Sequence, residues 1–213
     1  MYYFPDNYTQ AQQKFIETVQ ALGTRWSLSR GVQLGESPQG EKLETQVAIC
    51  HPDGGSNSLL VLSTGLHGVE AFFGSAVLLA LLNQWSQRPP ACRVVLLHSL
   101  NPFGYANLRR TDDRNVDLNR SFRLDKHYAG SHELYSRLNG FLNPPSAPKK
   151  FEWDFLLRAA NHIRRHGFGN VQQAIASGQY DFPKGLFYGG NGPSPLQKWL
   201  EQALLEWGNG SEK

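Results

Sequence analysis

Two short runs of apolar residues, Leu59-Leu60-Val61-Leu62 and Val94-Val95-Leu96-Leu97, stand about one helix apart in the chain. A run with no polar alternation suits a strand buried on both faces. Between the two, Val69 to Trp85 reads as a helix, closed by Arg88-Pro89-Pro90. Strand, helix and strand with so compact a crossover make a βαβ unit. This predicts parallel pairing inside a mixed, largely parallel α/β sheet flanked by helices.

The flanking segments extend that frame. Asp6 or Asn7 can cap a helix running to about Ala21, with Phe15, Val19 and Leu22 on one face. Strand-like runs follow near Trp26–Leu34, Thr45–His51 and Ser58–Ser63, and Asp53-Gly54-Gly55 separates the last two as a hairpin turn would. Residues 101–128 read as a polar loop, long enough inside a compact domain to suggest function. Helices are expected over Ser131–Phe141, Phe151–His166 and Asn170–Ser177. A last one has Ser194 as N-cap, Pro195 in its first position and its end near Trp207. Asn143 to Pro148 is a Pro-rich surface loop, and the 213 residues are read as a single domain.

Bulk properties exclude several classes. The formal charge of +3 comes with no clustered Lys and Arg run of the kind that tracks a phosphate backbone, so nucleic acid is not an expected partner. Ala76 to Leu82 is too short an apolar run to span a bilayer, and no membrane partner is expected. The N-terminus has no basic region followed by an apolar stretch, and Cys50 and Cys92 sit in no metal-ligand pattern. The expectation is a cytoplasmic protein with two free thiols. Phe73-Gly74-Ser75-Ala76 lacks the GxSxG elbow of a serine hydrolase.

His67 falls in the turn just past the first buried strand, and Glu70 in the first turn of the helix after it. The carboxyl edge of a parallel sheet is where ligands bind. An imidazole and a carboxylate at that corner can face one ion, and zinc accepts both at about 2.0–2.2 Å. Gly65 and Gly68 allow the tight backbone this needs. Taken alone the HxxE pair is weak evidence, since roughly 0.3 such pairs arise by chance in a chain of this composition. A turn histidine beside a helix N-terminal acid would look the same.

The motifs that follow are more specific in combination. Asn101-Pro102-Phe103-Gly104 comes after the next strand, and Val116-Asp117-Leu118-Asn119-Arg120 after that. Thr-Gly-x-His-x-x-Glu, then Asn-Pro-x-Gly, then Val-Asp-Leu-Asn-Arg, in this order, resembles the zinc carboxypeptidase superfamily and more closely a bacterial branch of it. The resemblance extends to Gly185-Leu186-Phe187-Tyr188-Gly189-Gly190, nearly the whole chain.

The resemblance implies a three-layer fold and a zinc ion held by His67 and Glu70. It also implies that Asn119 and Arg120 hold the substrate's terminal carboxylate, which suits the forked guanidinium. An upstream arginine would stabilise the oxyanion; Arg110 is nine residues before Asn119, with Arg109 second. Arg109, Arg110 and Arg114 can equally be a solvated basic loop balanced by Asp112 and Asp113. Asp117 is expected to support its loop, and His98 to be either a core histidine or a site residue. Ser121 stands where the family usually has a second asparagine. The family also needs a second histidine ligand on a later strand and a glutamate general base beyond it. After Gly190 this sequence offers one helix and then Gly208 to Lys213, and His127, His132, His162 and His166 have no strand-like context. The chain is therefore expected to be the N-terminal portion of such a domain, with the C-terminal part missing and little activity of its own. The implied reaction is cleavage of an amide bond beside a free carboxylate, in a peptide or another small substrate. The alternatives are hydrolysis of N-acyl amino acids and carboxylate binding without catalysis.

Overall fold

Asn7 starts the first helix, its side chain accepting from Gln10 N–H at 2.9 Å. This helix, α1 (Tyr8–Ala21), buries Tyr8, Ala11, Phe15 and Val19, a spacing of three and four that gathers one face. The computed structural model describes residues 3–37, 39–52, 58–146 and 153–209. It divides into two compact units, Met1–Arg114 with Ser194–Lys213, and Asn115–Pro193.

In the first unit, β1 (Trp26–Glu36) and β2 (Lys42–Cys50) form an antiparallel pair with irregular register near Gln33. β3 (Leu59–Ser63) leads through a 3-10 turn, Gly68–Glu70, into α2 (Ala71–Gln87), which returns to β4 (Arg93–His98). β4 pairs parallel with β3 and antiparallel with β2, giving the order β1-β2-β4-β3. The mixed sheet and the βαβ unit are thus as expected, but the sheet is not largely parallel: of its three pairings only β3 with β4 is parallel, because β2 reaches β4 in the opposite sense. The hairpin expected between the second and third runs is not formed, because β4 lies between β2 and β3; Asp53-Gly54-Gly55 falls outside the described residues.

Phe15 and Val19 of α1 and Leu78 and Leu82 of α2 pack on Ala48, Cys50, Val94 and Leu96 of the sheet. Each large side chain buried this way contributes roughly 1.5–3 kcal/mol. The Gly68–Gln87 stretch is long and apolar enough to cross a membrane by length and composition, beyond the shorter run singled out in the sequence. Here it is the core helix beside the sheet. β3 departs from its expectation of burial on both faces: it is an edge strand, with Leu60 41% exposed. α8 (Pro195–Gly208) begins at Ser194, whose hydroxyl accepts from Gln197 N–H, and packs on β1. A Cβ on Gly31 would stand 2.6 Å from the Trp199 ring, so any other residue there would have to displace the indole. Cys50 is buried and Cys92 half-buried, both free thiols.

The stretch read as a loop after β4 holds two short helices, α3 (Pro102–Ala106) and α4 (Leu118–Ser121), the second of them in the other unit. That unit continues with α5 (Glu133–Leu142), α6 (Trp153–His166) and α7 (Phe168–Ala176). Residues 151 and 152, expected to open α6, and 147 and 148 of the Pro-rich loop lie outside the described residues. Side-chain amides tie its irregular segments together. Asn115 Nδ2 donates to the carbonyls of Pro183 and Gly185, and Gln179 Nε2 to that of Phe182. Buried Tyr135 donates its hydroxyl to the Leu186 carbonyl at 2.8 Å.

Candidate metal corner and carboxylate site

Hydrogen bonds continue the β3–β4 ladder past the strand ends. Thr64 N–H donates to Leu97 O, Leu100 N–H to Thr64 O and Asn101 N–H to Gly65 O. The chain then turns at Gly65, φ +67°, where a Cβ would stand 2.3 Å from Ser99 Oγ. Two residues on, His67 is extended and buried, and stands at the start of the 3-10 turn that carries Glu70. The imidazole Nδ1 and the carboxylate Oε1 lie 3.0 Å apart. The expected pair is therefore brought together at the carboxyl edge of the parallel strands. Its two members differ in access, with side-chain exposures of 9% for His67 and 65% for Glu70.

Gly68 is the tightest point of the corner. A Cβ there would lie 1.8 Å from the carbonyl carbon of Gly104, and Gly68 N–H donates to Arg109 O at 3.2 Å. The Asn-Pro-x-Gly turn is thus pressed against the histidine's neighbour. Asn101, fully buried, organises it: Oδ1 accepts from Gly104 N–H at 2.8 Å, and Nδ2 donates to Arg110 O at 3.3 Å. Arg109 and Arg110 are consequently carried on a segment bonded to the corner. The Arg109 guanidinium lies 6.0 Å from the Phe103 ring and 3.5 Å from Thr111 Oγ1. Arg114 pairs with buried Asp112 at 3.2 Å, the charge-balanced arrangement weighed for this loop. Among the described residues no group of three or more His, Cys, Asp or Glu could hold a metal ion.

Behind the corner is a polar cluster whose connectivity the sequence does not announce. His98 Nε2 lies 2.8 Å from Ser75 Oγ, which in turn lies 3.4 Å from the Tyr105 hydroxyl. Phe15 stacks on the His98 ring at 4.9 Å. Burial pushes the imidazole pKa down to about 4 and the Tyr105 hydroxyl's upward. His98 is the core histidine of the two readings offered for it, with Nε2 bonded to Ser75 and Nδ1 buried without a hydrogen-bond partner among the described residues.

In the second unit Asp117 caps α4, its Oδ1 accepting from Asn119 N–H at 3.1 Å, which is the supporting role expected of it. Asn119 is exposed. Arg120 is half-buried and already engaged. Its Nη2 donates to Ala176 O at 2.7 Å at the end of α7, where a cation also meets the negative end of the helix dipole. Its stem crosses Gly178, where a Cβ would lie 2.7 Å from Arg120 Cδ, and its guanidinium is 6.0 Å from the Phe187 ring. The Nε is buried without a hydrogen-bond partner among the described residues.

Fold and corner together define a mixed α/β protein with a histidine and a carboxylate converging at the carboxyl edge of its parallel strands. Residues 4–213 match the family described as Protein of unknown function (DUF2817), and the chain belongs to that family. No curated protein matches it in sequence. Among solved structures, an aspartoacylase family protein from Mesorhizobium loti is 21% identical over 47% of this chain and 32% of that chain, with TM-score 0.36. A metallo-carboxypeptidase from Burkholderia cenocepacia is 20% identical over 52% and 32%, with TM-score 0.38. A metallo-carboxypeptidase from Pseudomonas aeruginosa is 20% identical over 73% and 36%, with TM-score 0.34. The matched part spans about a third of the length of each.

Proposed function

We propose that the chain supplies the metal corner and the carboxylate-selecting residues of a zinc-dependent hydrolase of carboxypeptidase type. Its reaction would be cleavage of an amide bond next to a free carboxylate. The supporting observation is the 3.0 Å approach of His67 Nδ1 to Glu70 Oε1 at the end of β3. Two atoms so spaced can both reach one ion at zinc's usual distance of about 2.0–2.2 Å, and the donor types are ones zinc takes. The residues fit as two of the donors. Zinc bound there would polarise a carbonyl and make a hydroxide available near neutral pH.

The chain's own groups do the remaining work. The ladder beyond β3 and the contact of Gly68 with Gly104 fix His67, while exposed Glu70 leaves the corner open to solvent. Arg110, with Arg109 as the second candidate, would place a guanidinium by the substrate carbonyl oxygen and stabilise charge developing on it. The resemblance assigns the carboxylate to Asn119 and Arg120 of the second unit, where the Arg120 guanidinium already gives one donor to Ala176 O.

Titrating zinc by calorimetry into the metal-free chain, His67→Ala and Glu70→Ala tests the corner. Weak binding is expected, because catalytic zinc sites use three protein ligands, and either substitution should abolish it. Unchanged binding by His67→Ala would falsify the reading. Peptides with free C-termini and N-acyl amino acids, assayed with zinc, separate the two substrate classes. Little turnover is expected from these 213 residues. Substantial turnover that disappears in His67→Ala would show that another histidine of the chain completes the site.

A further inference from the structure

No residue of α6 is buried. Trp153, Leu156, Leu157 and Ala160 recur at the three- and four-residue steps that align side chains along one helix face. Trp153, Leu156 and Leu157 are 70%, 50% and 70% exposed, and Ala160 is exposed as well. A different arc attaches the helix to its unit: Phe155 stacks on Phe141 of α5 at 4.8 Å, and His162 lies 5.0 Å from the same ring. Leu156, Leu157 and Ala160 lie off that attaching arc and face solvent. Phe168, 64% exposed, follows at the start of α7.

Charge is distributed unevenly as well. Arg158, Arg164 and Arg165 stand against Asp154 alone on α6. Residues 115–193 hold 10 Lys and Arg and 6 Asp and Glu, a net of +4, so the rest of the chain, whose total is +3, carries −1.

We propose that α6 docks this chain on a membrane surface containing anionic lipid. The Trp153–Leu156–Leu157–Ala160 stripe would lie at the boundary between headgroups and acyl chains, with Arg164 and Arg165 among the anionic headgroups, while Arg158 is held over the Phe141 ring at 5.3 Å. This is the pattern by which a helix lies in an interface rather than crossing it: an apolar face with Trp and Leu, and a basic polar face. It is a different mode from the spanning segment that the sequence argues against, and independent of the hydrolase reading. A nucleic-acid backbone would match the arginines but leave the stripe in water. A protein groove closing over the stripe would desolvate Arg164, which continues its line four residues after Ala160. At a bilayer the same side chain extends its charge into the headgroup layer.

The test is co-sedimentation of the full chain with phosphatidylcholine vesicles, with and without phosphatidylserine. Binding is expected on the phosphatidylserine vesicles, little on the neutral ones, and less as salt rises. Arg164→Gln and Arg165→Gln should each lower the partition coefficient about fivefold. The double change Leu156→Asp with Leu157→Asp should abolish binding, with far-UV circular dichroism confirming a folded chain. The proposal is overturned if the chain stays in the supernatant with both vesicles, which is also the result a protein-docking helix would give. It is equally overturned if bound protein responds to neither the arginine changes nor salt, a result that does not depend on the aspartate variant folding.

Discussion

The hydroxyl of Ser75 lies 2.8 Å from Nε2 of His98, with both side chains sealed in the core. The imidazole must stay neutral there, because charging it would strand a cation against Phe15 and Leu-lined strands. Burial accordingly lowers its pKa from 6.5 to about 4. In the unfolded chain the same group takes up its proton near pH 6.5, so between the two values the unfolded state binds more protons and stability falls as pH falls. The stability of the chain should thus be insensitive to His98 above pH 6.5. It should decline by about 1.4 kcal/mol per pH unit below that, for a total of about 3 kcal/mol. Urea unfolding at pH 7, 6 and 5 measures the slope, and His98→Gln should flatten it. A wild-type chain already flat between pH 6.5 and 5 would contradict the buried neutral imidazole.

Gly68→Ala should be among the most damaging small changes in the chain. The new methyl would sit 1.8 Å from Gly104 C and 2.2 Å from Tyr105 N, both backbone atoms that have no rotamer to change. Either the His67 turn or the Asn101–Tyr105 turn must move, at a cost of about 1–3 kcal/mol or more. A drop in thermal midpoint should accompany lost zinc binding, since the same shift separates His67 from Glu70. Gly23→Ala is the control at an open positive-φ glycine, where no atom lies within 4 Å.

Asn101→Ala should uncouple the two turns more gently. It leaves Gly104 N–H, in a buried setting, without its acceptor, and the half-buried Arg110 O without its side-chain donor. An unmet buried donor such as Gly104 N–H costs about 1–3 kcal/mol. Zinc binding at His67 should survive, because the ladder from Leu100 and Asn101 N–H to Thr64 and Gly65 is made by backbone. Zinc affinity falling as far as in His67→Ala would show that Asn101 orders the corner itself.

The parts of this structure that were legible are those in which local chemistry decides. The apolar runs gave β3 and β4 with their crossover helix, and Ser194-Pro195 marked the start of α8, because caps and burial act over a few residues. Strand order was not legible. A turn-rich segment between β2 and β3 suggests a hairpin, but the uniformly apolar β4 competes better for the central position, where both edges are paired and Val94 to Leu97 are fully buried. The His67–Glu70 pair could be read from spacing and position. The engagement of Arg120 by Ala176 could not, since it joins residues 56 apart through a carbonyl that every residue type carries. The Ser75–His98 bond was hidden for the same reason, although a serine in an otherwise apolar helix face was a signal that something polar lay opposite.

The bond from Arg120 Nη2 to Ala176 O makes two separable predictions about the proposed carboxylate clamp. Without any ligand, Arg120→Ala should destabilise the chain by about 1–2 kcal/mol, since the end of α7 loses its donor. A carboxylate ligand should then bind more weakly to Arg120→Ala by about 2–5 kcal/mol, the cost of removing one partner of a charge-assisted pair. Its amide analogue should lose far less. Gly178→Ala probes position rather than charge. Its φ is +79° and its Cβ would meet Arg120 Cδ at 2.7 Å, so the guanidinium is displaced while the cation is kept. If the forked geometry matters, Gly178→Ala should weaken the carboxylate ligand as well, and Arg120→Lys should restore little of it. Calorimetry with the matched acid and amide on the four proteins distinguishes these roles. Equal losses for acid and amide would reduce Arg120 to the cap of α7 and remove it from the site.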